Sequence, residues 1–207
     1  MLSNKLIQDY GCSYAWAWND GTFSEDELQI LNSETYAKNL TKSQVLKTEE
    51  NKGMSTEFSD YRESLTSFFQ SSEEHSWIFQ KLNNVIESIN DSVFRYDLAG
   101  FESIQYTKYL KGGFYRKHSD YIYGQVLNSE QTFCIPLVRK LSLTVMLNDD
   151  YEGGDLILHH DGRSGIPIDK KRGRIIFFPS DIVHEVTTVT SGERNSLVIW
   201  VLGPPWK

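Results

Sequence analysis

Gly112-Gly113-Phe114-Tyr115-Arg116-Lys117-His118-Ser119-Asp120 sets an imidazole and a carboxylate two residues apart, a few positions after a glycine turn. On an extended strand side chains alternate, so His118 and Asp120 point to the same side. His184, on a distant strand 64 positions past Asp120 (184 − 120), completes two imidazoles and one carboxylate. Those three groups on one face of a metal leave the opposite positions open, which is the donor set of non-haem Fe(II) centres. His118 and His184 are expected on strands that face each other inside a jelly roll.

Arg194 follows His184 by ten positions (194 − 184), across the Ser191-Gly192 turn. That places it on the neighbouring strand of a hairpin, from which a guanidinium can grip a carboxylate with two parallel hydrogen bonds. Parity puts Arg194, Ser196, Val198 and Trp200 on one strand face and Leu197, Ile199 and Val201 on the other, so both faces are enclosed. A second His-x-Asp, His159 to Asp161, acts as an internal control. It runs from a Gly153-Gly154 turn into Asp161-Gly162 and leaves only 23 positions before His184 (184 − 161). Its reading is a strand end leading into a solvated loop.

The 207 residues allow one domain with a sizeable core. With 39% hydrophobic and 13% aromatic residues the chain is globular and not disordered. A net charge of -7 argues against a broad duplex-binding surface, so no nucleic-acid partner is expected. Lys170, Lys171, Arg172 and Arg174 form one basic run, read as a solvated turn before a strand. Cys12 and Cys134 form no CxxC pair and read as reduced thiols. The first residues lack the apolar stretch of a signal peptide, and no run approaches the roughly 18 apolar residues of a membrane span. A cytoplasmic location is expected, in the host cytoplasm if the chain is phage-encoded.

Helical signals lie in the first half. Ser24-Glu25-Asp26-Glu27 forms a capping box before Leu28 and Leu31. Ile78, Leu82, Val85, Ile86 and Ile89 follow helical spacing. Lys47–Asp60 and Tyr121–Gln131 read as loops, either of them a candidate cover for a substrate. From about residue 92 the period changes to two. Strands are expected at Phe94–Leu98, Ser103–Leu110, Phe133–Val138, Leu141–Leu147, Leu156–His159, Arg174–Phe178, Glu185–Val189 and Ser196–Leu202, separated by turn residues. The expected architecture is a single α+β domain over 1–207: a helical support region over 1–91 and a jelly-roll core, or double-stranded β-helix, over 92–207, with helices packed on one sheet. An immunoglobulin-like sandwich and an open α+β sheet are the alternatives.

These stations, in order, resemble the Fe(II)/2-oxoglutarate-dependent dioxygenases of the prolyl 4-hydroxylase type. The likeness runs from Arg62-Glu63-Ser64 through Gln105-Tyr106-Thr107-Lys108-Tyr109, the His118 stretch and Arg139-Lys140-Leu141-Ser142. It continues through Leu147-Asn148, Tyr151-Glu152-Gly153-Gly154-Asp155-Leu156 and Phe178-Pro179-Ser180 to His184, Arg194 and Trp200. The nearest group in character is the bacterial and phage PKHD-type hydroxylases. The resemblance implies that His118, Asp120 and His184 are the catalytic iron ligands. It implies that Arg194 and Tyr109 hold the distal carboxylate of 2-oxoglutarate, with Trp200 beside it and Tyr115 bordering the substrate side. Ser142, Thr144 and Met146 share a face whose small polar groups line the pocket, which puts Thr144 with the cosubstrate; Leu143, Val145 and Leu147 belong to the core. Collagen-type members carry lysine where this chain has Arg194.

The resemblance further implies an oxidoreductase using Fe(II), 2-oxoglutarate and O2, with ascorbate as reductant, that hydroxylates a substrate C–H and releases succinate and CO2. A prolyl residue of a peptide or protein is the first expected target. A free amino acid or other small metabolite is the second. A catalytically silent jelly-roll binding module is the rival from another class, and base demethylation is disfavoured by the acidic balance.

Overall fold

The structure, a computed structural model, describes residues 10–12, 16–33, 36–43, 60–127, 134–160 and 164–206, with side chains omitted for 10–12, 123–127 and 134–136. Cys12 and Cys134 have no described side chain. Among the described residues, two α-helices occur where capping and periodicity place them. Helix α1 (Glu25–Leu31) opens with the capping box: the Glu27 amide donates to Ser24 Oγ (3.3 Å) and the Ser24 amide to Glu27 Oε2 (2.8 Å). Helix α2 (Ser76–Ile89) buries Ile78, Leu82, Val85, Ile86 and Ile89, all five residues of its apolar stripe. Lys81 of α2 donates to Glu27 Oε2 at 2.8 Å and ties the two helices together. Neither helix is long and apolar enough to cross a membrane.

The strands in the first half are β1 (Tyr10–Cys12), β2 (Ala17–Asn19), β3 (Thr41–Lys42), β4 (Arg62–Glu63) and β5 (Leu65–Phe69). The next are β6 (Gly100–Phe101), β7 (Ile104–Tyr109), β8 (Phe114–His118), β9 (Tyr123–Leu127), β10 (Cys134–Met146) and β11 (Glu152–Gly153). The last are β12 (Leu156–His159), β13 (Ile166–Pro167), β14 (Ile175–Pro179), β15 (Val183–Val186), β16 (Val189–Ser191) and β17 (Arg194–Gly203). A large antiparallel sheet runs β1-β2-β14-β10-β17-β7-β5-β3, with β6 on β17 and β9 on β10. A smaller one runs β13-β12-β15-β8-β4, and β11 pairs with β16.

Strand parity divides the core in two. Leu143, Val145, Leu147, Leu197, Ile199 and Val201 face the helices in the main apolar cluster. On the opposite face of the large sheet, Met146, Ile176 and Phe178 pack against Leu156, Leu158 and Ile182, so the two sheets close face to face as a jelly roll. The Ser142, Thr144, Met146 face and the Arg194, Ser196, Val198, Trp200 face both lie between the sheets, as parity requires.

Several expectations are corrected. Phe94–Leu98 is not a strand: α2 loosens into a π-turn over Asn90–Phe94, and Arg95 follows in the left-handed region. Asn90 causes this, because its side chain takes up both the Tyr96 amide and the Tyr96 carbonyl (2.9 Å each) as a strand partner would. The two strands expected over 133–147 are one, β10, with a register shift between Arg139 and Leu141. Glu185–Val189 is divided into β15 and β16. Much of Tyr121–Gln131 is strand β9, paired along β10; residues 128–131 and nearly all of Lys47–Asp60 lie outside the described residues. The region before residue 92 contributes β1 to β5 as well as helices. The basic run is ion-paired and not free in solvent. Lys171 and Arg174 both bind Asp20 (2.7 and 2.9 Å), Arg172 binds Glu25 (2.7 Å) and Lys170 binds Asp155 (3.0 Å).

Candidate metal centre

His118 ends β8 and His184 sits in β15, where the two are directly opposed partners on adjacent antiparallel strands. They share the small sheet, so the expectation that they face each other across the jelly roll is corrected. Asp120 lies two residues beyond the end of β8, not on the strand itself. Its amide donates to the Ser180 carbonyl (2.9 Å), which continues the strand direction and turns the carboxylate inward.

The ligand atoms of His118, Asp120 and His184 all lie within 4.8 Å of one another. His118 Nε2 is 3.7 Å from Asp120 Oδ1 and His184 Nε2 is 3.5 Å from Asp120 Oδ2. These separations are too long for hydrogen bonds and suit atoms that share an ion between them. The tautomers agree. His118 Nδ1 lies 2.7 Å from the Arg116 carbonyl and His184 Nδ1 lies 2.9 Å from the Ile182 carbonyl. A carbonyl only accepts, so each Nδ1 carries a proton and it is Nε2 of each ring that faces the centre. Burial, with the neighbouring His184, pushes the His118 imidazole down to about 3 and keeps it neutral. Burial alone would raise the Asp120 carboxyl; the His184 and His118 imidazoles and the Ser142 hydroxyl hold it below the usual carboxylate range. Ser142 Oγ donates to Asp120 Oδ2 at 2.7 Å and lies 3.0 Å from Ser180 Oγ, so Ser142 braces a ligand instead of lining the pocket.

The centre opens into a cavity of about 850 Å3 between the sheets, lined among others by Tyr109, Thr144, Arg194, Val198 and Trp200. All four residues expected to hold the cosubstrate therefore border one space with the metal ligands. Arg194 reaches it from the large sheet, paired in register with Tyr109, and not from the hairpin neighbour of His184 as expected. The guanidinium stands 5.2 Å from the Tyr109 ring and donates to Ser196 Oγ at 3.0 Å. It is 3% exposed, and among the described residues no carboxylate pairs with it. A cation so buried calls for an anionic guest. Gly154 (φ +61°) makes room for its stem: a Cβ there would stand 3.3 Å from Arg194 Cδ and 2.9 Å from a Val189 methyl.

Tyr115 stacks on His118 with ring centroids 3.5 Å apart and borders the same cavity. His159 stays apart from the centre, at the end of β12, with Nε2 2.8 Å from Glu185 Oε1; Asp161 lies outside the described residues. Sequence reasoning gave no site role to Arg139, Glu102 or Arg62, which all line the cavity. Arg139 forms a two-pronged pair with Glu102 (2.8 and 2.7 Å) and lies 3.9 Å over the Trp200 ring. Arg62 is 8% exposed, donates from Nε to Ser64 Oγ at 2.8 Å and lies 4.4 Å over the Tyr115 ring. Arg62 and Arg139 stood in the quoted motifs, yet only tertiary structure shows which way they face.

Residues 104–202 match the family model described as "2OG-Fe(II) oxygenase superfamily". Among curated proteins the chain is 44% identical over 64 residues to a PKHD-type hydroxylase of Psychrobacter sp. (strain PRwf-1), covering 30% of this chain and 24% of that one. It is 33% identical over 99 residues to a PKHD-type hydroxylase of Stenotrophomonas maltophilia (strain R551-3), covering 47% and 41%. The chain thus spans between a quarter and two-fifths of the length of these relatives. A solved Pseudomonas putida prolyl-4-hydroxylase has the same fold, with a TM-score of 0.67 at 19% identity over 94% of this chain and 95% of that one. So does a Trichoplax adhaerens prolyl hydroxylase in complex with a hypoxia inducible factor oxygen degradation domain peptide fragment, with a TM-score of 0.68 at 16% identity over 92% and 84%. The chain is thus similar to the 2OG-Fe(II) oxygenase superfamily over residues 104–202 and to PKHD-type hydroxylases over shorter stretches, and it shares the fold of the prolyl hydroxylases.

Proposed function

We propose that the chain is an Fe(II)- and 2-oxoglutarate-dependent dioxygenase that hydroxylates a prolyl residue of a peptide or protein, releasing succinate and CO2. The observation that carries this reading is the pairing of a two-histidine, one-carboxylate cluster with a buried Arg194 that has no carboxylate partner among the described residues, both in one cavity. His118, Asp120 and His184 would hold the metal, the two imidazoles through Nε2 and Asp120 through its carboxylate. Iron, when bound, supplies the activation of O2 coupled to oxidative decarboxylation of the cosubstrate. Arg194 and the Tyr109 hydroxyl take the distal carboxylate of 2-oxoglutarate, while Trp200 and Thr144 border it. Ser142 fixes the orientation of the Asp120 carboxylate through its hydrogen bond. Ascorbate is the expected reductant that keeps iron ferrous.

The rest of the cavity suits a chain segment better than a small metabolite. It continues past the ligands to Phe68, which is 60% exposed, and to the Arg139–Glu102 pair. An exposed aromatic beside a fixed charge pair gives an extended peptide both stacking area and hydrogen bonds. The solved relative in complex with a peptide has this fold and supports the same choice. A peptide library carrying central prolines, incubated with the full chain, Fe(II), 2-oxoglutarate and ascorbate, tests the reading. A gain of one oxygen on proline is expected. Oxygen gain only on free amino acids, or on another residue, contradicts it.

A further inference from the structure

Arg62 is a second buried guanidinium in the cavity, and the proposed mechanism does not use it. It sits on β4 of the small sheet, in register with Tyr115, where the chain crosses through Ser64 to β5 of the large sheet. Arg139 stands on β10, and the large sheet places β17 and β7 between β10 and β5. Arg62, Arg139 and Arg194 thus line one cavity from three different strands, β4, β10 and β17.

The three arginines differ in what neutralises them. Arg139 has Glu102. Arg194 faces the position of the cosubstrate, and the charges of iron, Asp120, 2-oxoglutarate and Arg194 cancel. Arg62 has neither: its one hydrogen bond among the described residues runs from Nε to Ser64 Oγ, and Ser64 is occupied in turn by Ser43 Oγ at 2.7 Å. The Tyr115 face below it is polarisable but carries no charge. Its two terminal nitrogens, the pair that takes a carboxylate side-on, have no partner among the described residues. A buried cation keeps its charge, and among the described residues none neutralises it, which leaves its terminal nitrogens to what the cavity takes up.

We propose that Arg62 selects a substrate bearing a carboxylate beside the residue that is hydroxylated, held side-on by its terminal nitrogens. This rests on the proposed function for the placement of cosubstrate at Arg194. The carboxylate comes either from an acidic side chain or from a chain terminus, and both offer the same fork to the guanidinium.

The test uses the full chain loaded with Fe(II) and 2-oxoglutarate without oxygen, with arginine side-chain nitrogens observed by NMR. The probes are N-acetylaspartate N-methylamide, its neutral asparagine analogue and N-acetylalanine, which offers a terminal carboxylate. A saturable shift of the Arg62 Nε signal is expected, with one or both anions binding about tenfold or more tighter than the asparagine analogue. Arg62→Gln should abolish that preference and Arg62→Lys should keep part of it, with thermal unfolding checking that both variants fold. The two anionic probes separate the side-chain source from the terminal source. Equal or undetectable binding of the acidic and neutral probes overturns the proposal. So does a loss of 2-oxoglutarate affinity in Arg62→Gln as large as that in Arg194→Gln, which would assign Arg62 to the cosubstrate. Failure of the unsubstituted chain to bind 2-oxoglutarate, with the anion preference at Arg62 intact, would count against the function and not against this site.

Discussion

Ser142 Oγ donates to Asp120 Oδ2 at 2.7 Å, which joins β10 of the large sheet to a carboxylate carried two residues beyond the end of β8 in the small one. One hydroxyl thereby sets the orientation of the Asp120 carboxylate across the gap between sheets. Removing it in Ser142→Ala leaves the three ligands in place and frees the carboxylate to rotate. A fall of about 10- to 100-fold in Fe(II) affinity is expected, with little change in unfolding temperature. Titration of the metal-free protein with Fe(II) or Co(II), followed by absorption, checks this.

Arg194 is the one guanidinium on β17, and its buried charge has no protein carboxylate among the described residues. Arg194→Gln should weaken 2-oxoglutarate binding by about 2–5 kcal/mol, which is roughly 30-fold or more. Arg194→Lys should retain a part of the affinity, since a point charge remains but the fork is lost. Calorimetry with 2-oxoglutarate in the absence of oxygen distinguishes the two variants.

Gly154 is held at φ +61°, with a methyl of Val189 and the stem of Arg194 packed where a side chain would begin. Gly154→Ala adds a Cβ in a strained backbone region and pushes against that stem. A stability loss of about 1–3 kcal/mol is expected, accompanied by weaker 2-oxoglutarate binding. Denaturant unfolding and cosubstrate titration of the same sample measure both effects.

Asp20 joins the segment after β2 to β14 through Arg174, with Lys171 on the same carboxylate. The hydrogen bond from Arg174 holds its carboxyl below the ordinary value in spite of partial burial. A carboxyl lowered by folding contributes stability that is present above its unfolded value, about 3.9, and lost as pH falls through the lower folded value. Asp20→Asn should therefore cost about 1 kcal/mol or less at pH 7, a difference that shrinks below about pH 4. Urea unfolding of both proteins at pH 7 and pH 3 checks the sign; a difference that grows on acidification would contradict the pairing.

The sequence was legible where periodicity is long and local. The five apolar positions of α2 and the alternation along β17 each persist over enough residues to define a face. It was opaque where elements are short or the pattern is interrupted. β3 and β4 are two residues each, too brief for any period, and they form only because β5 and β8 offer free edges. At the register shift in β10, Lys140 leaves the alternation and lies against the Trp206 ring at 3.2 Å, so one strand reads as two. The ligand residues were legible as chemistry, while their placement was not. Whether Arg194 sits beside His184 or across from it depends on how the chain passes through β16 from one sheet to the other. The roles of Arg62 and Arg139 were hidden for the same reason, because a basic residue in a short strand looks like any solvated charge until the facing sheet is present.

Conversion of 2-oxoglutarate to succinate by the full chain, given Fe(II), ascorbate and air, tests the metal assignment most directly. The unsubstituted protein is expected to form succinate. His118→Ala, shown to be folded by its circular dichroism and unfolding temperature, should lose more than about 100-fold of that turnover, beyond what a missing supporting hydrogen bond would cost. Full turnover in folded His118→Ala, or none in the unsubstituted chain, would contradict an iron centre built on His118, Asp120 and His184.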